Sequence, residues 1–179
     1  NTGFWLNGEN IKIKGVCNHQ DHAGVGVAVP DALWEFRLRK LKEMGVNAYR
    51  VAHNPVAKEF MAACDSMGIM VLDENRLFNT SPEYVRQLEW QVRRDRNCPS
   101  VILWSVFNEE PMQGTENGVE MVRRMYDVVK KMDPTRPITA AMNGGFFSKH
   151  NVSQAVDVGG FNYQIESYDR FHEENPELP

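Results

Sequence analysis

VILWSVFNEEP, residues 101–111, is an apolar run broken only by Ser105 that ends abruptly in an amide, two acids and a proline. A β-branched and aromatic run of this length, bounded by polar residues, fits a strand buried on both faces better than a helix, which needs a longer pattern. A buried strand that delivers Asn108 and Glu109 at its carboxyl end can be one accident of loop composition or one instance of a repeated plan. The rest of the chain decides between these.

Upstream, IKIKGV (residues 11–16) reads as a strand entered through the Asn7-Gly8 turn, and AYRVA (48–52) and IMVLD (69–73) read as strands. Downstream, ITAAM (138–142) and Val156 to Phe161 complete six. Helical patterns separate them. From Asp31, expected as an N-cap, Trp34, Leu38, Leu41 and Met44 fall at helical spacing before Gly45. Phe60, Cys64 and Met67 do the same before Gly68, Ser81-Pro82-Glu83 opens a third helix, and Gly118, Val122, Met125, Val129 and Met132 share one face of a long fourth.

This βα alternation, with strands apolar nearly throughout, predicts a parallel sheet covered by helices. An open doubly wound sheet would carry a glycine-rich phosphate turn after its first strand, where this chain has GVCNHQDH. Polar residues instead follow almost every strand: His19 and His22, His53 and Asn54, Asp73 and Glu74, Asn108 and Glu109, Asn143, then Asn162 and Tyr163. In a (β/α)8 TIM barrel such positions converge at the carboxyl end, where these folds build active sites. The expected fold is therefore α/β, a partial (β/α)8 TIM barrel with about six of its eight βα units.

Composition narrows the chemistry. With 179 residues, 42% of them hydrophobic, one substantial core is expected. A net charge of -4 without long runs of one sign argues against nucleic acid or a membrane as partner. Cys17, Cys64 and Cys98 are odd in number and widely spaced, so buried thiols are expected rather than disulfides or a zinc site. The amino end, NTGFWLNGEN, lacks the basic and apolar regions of a signal peptide, and the unpaired cysteines lean towards a reducing compartment, with cytoplasm and periplasm both left open.

A strand-end carboxyl can act as a general acid, and a neighbouring amide can hold a substrate hydroxyl without adding charge. Arg50, inside an apolar strand, needs an acidic partner such as Asp73 or Glu74. The ordered stretches LNGENIKIKGVCNHQDH, LKEMGVNAYRVAHNP, CDSMGIMVLDE, RRDRNCPSVILWSVFNEE and VGGFNY resemble the catalytic barrel of glycoside hydrolase family 2, which includes β-galactosidases, β-glucuronidases and β-mannosidases. The resemblance implies a retaining β-glycosidase, with a β-galactoside as the first substrate expected. It makes Glu109 the acid/base and Asn108 the partner of the sugar 2-hydroxyl, and it lines the pocket with His53, His19 and Tyr163. Arg50 would brace the nucleophile, with Asp73 and Glu74 supporting the floor; Glu110 would be a loop residue.

No cofactor is implied. Some members of the family bind magnesium through a Glu and a His after the DE pair, where this chain has Phe78 and Thr80. Zinc held by His19, His22 and His53 is the competing metal reading. Retaining glycosidases also need a carboxylate nucleophile, which the family carries on its seventh strand. Residues 1–179 are accordingly expected to be the N-terminal portion of a catalytic barrel, excerpted from a larger multidomain enzyme and inactive without it. The partners expected are a carbohydrate and the remaining domains; the rivals are a non-catalytic carbohydrate-binding barrel and another barrel glycosidase of the same clan.

Overall fold

The computed structural model describes residues 3–179. A two-residue hairpin comes first, β1 (Trp5–Leu6) and β2 (Glu9–Asn10), joined by Asn7 and Gly8. Both turn residues have positive φ, 52° and 85°, the conformation that an Asn-Gly pair adopts most readily in a two-residue turn.

Six parallel strands follow: β3 (Gly15–His19), β4 (Ala48–Ala52), β5 (Met70–Glu74), β6 (Val101–Asn108), β7 (Ile138–Met142) and β8 (Val158–Phe161). Each pairs with the next in sequence, giving the order β3-β4-β5-β6-β7-β8. A doubly wound sheet reverses direction at its middle; this one never does, and it curls as an incomplete barrel. The crossovers are α1 (Asp31–Glu43), α2 (Lys58–Met67), α3 (Pro82–Asp95) and α4 (Glu116–Met132). Between β7 and β8 the chain uses only a short 3-10 turn, and α5 (Tyr168–Glu174) follows β8.

The main core lies between sheet and helices. Val51, Val71, Val106 and Ile138 meet Leu38, Phe60, Val92 and Val129, all essentially inaccessible to solvent. The opposite, concave face carries Ile13, Cys17, Arg50, Leu72 and Leu103 along an open depression of about 270 Å³. Side-chain alternation along each strand sorts residues between these two faces, and this sorting matters at the site.

Three boundaries differ from the sequence reading, the last strand among them, which starts at Val158 rather than Val156. The first long strand is Gly15–His19 rather than residues 11–16, because Asn47 captures the preceding backbone: its Oδ1 accepts from Lys14 N at 2.8 Å and its Nδ2 donates to Lys12 O at 3.0 Å. Asp31 is the first residue of α1, with Pro30 in the capping position, so its carboxylate meets the positive end of the helix dipole. The methionine and valine face expected of the long helix is present, with Val122, Met125 and Val129 buried.

Candidate active site

At the carboxyl end of the sheet, a network of hydrogen bonds joins four strands. Glu74, the last residue of β5, is completely buried, and its carboxylate accepts from three side chains. Arg50 of β4 forks onto it, with Nε to Oε2 at 2.9 Å and Nη2 to Oε1 at 3.0 Å and Oε2 at 2.7 Å. His53 Nδ1 lies 2.6 Å from Oε1, and Ser105 Oγ donates to Oε2 at 2.9 Å. A buried carboxylate is costly unless its lone pairs are filled, and this one is held by a bidentate guanidinium, an imidazole and a hydroxyl.

Arg50 extends the network inward. Its Nη2 donates to Asn108 Oδ1 at 2.7 Å and its Nη1 to Asn162 Oδ1 at 3.4 Å. Asn162, just past β8, donates through Nδ2 to Asn108 Oδ1 at 3.0 Å and to Glu109 Oε1 at 2.6 Å. The half-buried Glu109 has φ +54° and donates its backbone N–H to Ala141 O of β7 at 2.9 Å. This left-handed turn occurs directly after the strand, where the β6–β7 register shifts between Ser105 and Asn108. The fold thus brings Glu109, Asn108, Arg50, Glu74 and His53 into one constellation, with His19 against His53 at a ring separation of 5.2 Å, edge to face.

Two expected site residues stand apart. Tyr163 follows Asn162 but is 73% exposed, so packing does not fix it against the network. Asp73 was expected beside Glu74 beneath the site, and that expectation is corrected: adjacent strand residues face opposite ways, so Glu74 points to Arg50 while Asp73 turns into the helical layer. There its Oδ1 accepts from Gln91 Nε2 of α3 at 3.0 Å. Burial pushes the Asp73 carboxyl well above the usual range, and the nearby Asp95 carboxylate adds to the effect.

Sequence reasoning placed Asn162 among polar strand ends without giving it a role, although it touches Glu109 directly. Its position in the apolar VGGFNY was the available signal. Of the three thiols expected to be buried, only Cys64 fully is; Cys17 is exposed on the concave face, where its Sγ lies 3.6 Å from Arg50 Nη1. Partial desolvation raises its thiol pKa despite that cation, so Cys17 remains a thiol rather than a thiolate nucleophile. Glu110 lies outside the network, 3.7 Å from Arg76 on the rim.

Among the described residues no group of three or more His, Cys, Asp and Glu side chains is arranged to hold a metal ion, and no helix is long and apolar enough to cross a membrane. The chemistry available is that of one half-buried carboxyl group beside amides, imidazoles and the Arg50 guanidinium. It can move a proton at a hydroxyl or ether oxygen.

The family profile described as glycosyl hydrolases family 2, TIM barrel domain, matches residues 1–81 and 78–176. A β-galactosidase of Bacteroides ovatus is 37% identical over an alignment covering 90% of this chain and 24% of that protein. A β-glucuronidase of Bacteroides fragilis is 33% identical, covering 98% and 28%. The chain thus spans about a quarter of the length of these curated relatives. Among solved structures, a family 2 member from Bacteroides cellulosilyticus superposes with a TM-score of 0.91 at 35% identity, covering 99% of this chain and 25% of that one. A β-galacturonidase from Eisenbergiella tayi, bound to galacturonate, gives 0.81 at 28% identity, covering 96% and 34%. The profile match over nearly all residues and the shared fold lead to one conclusion: the chain belongs to glycoside hydrolase family 2 and forms part of its TIM barrel domain.

Proposed function

We propose that these residues are the acid/base-bearing portion of a retaining β-glycosidase, the first six βα units of a barrel that works within a larger multidomain enzyme. The observation that carries this reading is the grip on Glu109: Asn162 donates to its carboxylate at 2.6 Å and at the same time fixes Asn108, which Arg50 holds from the other side. In this reading Glu109 protonates the leaving oxygen, a nucleophilic carboxylate outside these residues captures the anomeric carbon, and Glu109 then deprotonates the attacking water. Asn108 meets the sugar 2-hydroxyl, and His53, His19 and Tyr163 line the pocket.

A β-galactoside is the first substrate to try. The resemblance to the Bacteroides ovatus β-galactosidase supports it.

The test uses the full-length protein, wild type beside Glu109→Ala, with dinitrophenyl β-galactoside, β-glucuronide and β-mannoside. The good leaving group departs without a proton, so the variant accumulates the glycosyl-enzyme. Azide needs no base; it attacks the anomeric carbon, the nucleophile's carboxylate leaves, and a glycosyl azide forms. Loss of turnover in the variant with azide rescue on one substrate is the expected outcome. Unchanged activity would remove Glu109 from the chemistry.

A further inference from the structure

Beyond the rim of the site lies a groove of about 470 Å³, lined by Asn54, Pro55, Arg76, Leu77, Gln87 and Trp90 over a floor that includes Asn75 and Gln91. Its volume falls in the range of small-ligand sites. The groove is bordered by the loops that leave β4 and β5, next to residues of the network. Asn54 follows His53, Asn75 and Arg76 follow Glu74, and Arg76 pairs at 3.7 Å with Glu110, the neighbour of Glu109.

Its chemistry is specific. Trp90 stands on the surface of α3, 57% exposed, and Arg94 lies over one face of the ring, 4.8 Å from its centroid, which steadies the indole. Leu77 is 37% exposed beside it. A large flat aromatic surface next to side-chain amides offers an apolar face together with planar donors and acceptors, the combination that a pyranose presents in reverse through its C–H face and equatorial hydroxyls. Arg76 is balanced by Glu110, so the groove carries no unmatched charge to favour an anion. Gln91 Oε1 at the floor is a buried acceptor with no protein donor among the described residues.

We propose that this groove is a second carbohydrate subsite, holding a further pyranose unit of an oligosaccharide whose scissile bond lies at Glu109. Trp90 is the stacking platform, and Asn54, Gln87 and Arg76 bond the hydroxyls. The inference rests on the glycosidase reading and extends it from aryl glycosides and disaccharides to longer chains.

The experiment compares full-length wild type, Trp90→Ala and Gln87→Ala on the p-nitrophenyl monoglycoside that the enzyme cleaves and on the β-linked trisaccharide of the same sugar. The expected result for Trp90→Ala is a loss of about tenfold in kcat/KM on the trisaccharide relative to the aryl glycoside, with a smaller relative loss for Gln87→Ala. Equal effects on both substrates would overturn the subsite, and a fall on both with a lower Tm would mark the groove as packing for another domain. A binding arm separates this inference from the catalytic one. Cellotriose, laminaritriose and β-1,4-galactotriose are titrated calorimetrically against Glu109→Ala with and without Trp90→Ala. If the enzyme cleaves no glycoside, the catalytic reading fails, while a trisaccharide whose affinity still drops about tenfold without Trp90 upholds the subsite. Binding indifferent to Trp90, or no binding of any of the three, overturns it.

Discussion

Replacing Asp73 with asparagine should remove a pH dependence from the sheet and strengthen it above neutral pH. Asp73 is fully buried between β5 and α3, where its Oδ1 accepts from Gln91 and its Oδ2 has no protein donor. Asp95, 1% exposed, faces it across this contact with its own charge matched by Arg94 at 2.7 and 2.6 Å; Cys98 lies near, with its thiol pushed up to about 11 by burial. Two carboxyl groups can share such a contact only with a proton between them, and burial followed by Asp95 raises Asp73 accordingly. The sign follows from linkage. The folded state binds this proton more tightly than the unfolded state, so stability is highest below the unfolded value near 3.9 and declines as pH rises towards the folded one. Each pH unit in that window costs up to ~1.4 kcal/mol, or about tenfold in protection from amide exchange. Asparagine supplies the same donor to Asp95 at every pH and keeps the Gln91 bond. Hydrogen exchange of β5 and α3 peptides, expressed as protection factors, reads the local effect without requiring a two-state transition. Asp73→Asn should match wild type near pH 4 and exceed it increasingly towards pH 8. Equal slopes in the two proteins, or weaker protection in the variant at every pH, would refute the shared proton.

Two further predictions concern the site and the base of the sheet. Asn162→Ala removes a hydrogen bond to Glu109 and leaves its partner unsatisfied, at ~1–3 kcal/mol, and should lower kcat about 10- to 100-fold with little change in KM; a change within about twofold would deny Asn162 a positioning role. Asp133 would be raised by burial alone, yet bonds from Thr135, Arg136 and Trp104 hold it well below the usual carboxylate range. Its stabilisation is therefore present above about pH 4 and lost as pH falls further. Protection of β6 and β7 peptides should drop between pH 4 and pH 3 in wild type, and less in Asp133→Asn; identical acid profiles would count against this.

The fold was legible because parallel strands between helices leave a repeated signature, an apolar run and then a polar residue. Four of the six strands, those at 48–52, near 69–73, 101–107 and 138–142, fall within a residue of their sequence positions. The first strand was misplaced because alternation in IKIKGV records an extended backbone and not its partner, and Asn47, distant in sequence, takes the hydrogen bonds a ladder would have used. Of the candidate residues, Glu109, Asn108, Arg50, Glu74 and His53 come together in the structure through one hydrogen-bond network. Asp73 shows where motif reading loses to geometry: an adjacent pair of acids spans both faces of a strand. Asn162 was underestimated because an amide becomes informative only when its two ends are seen bridging Asn108 and Glu109.

The left-handed backbone at Glu109 places two selective pressures in opposition at one residue. A side chain there strains a conformation that glycine adopts freely, at ~1–2 kcal/mol. Drift under selection for stability alone would therefore run towards glycine at position 109. A carboxylate persists there only while something other than folding rewards it, which makes this position a gauge of whether a descendant still uses its pocket.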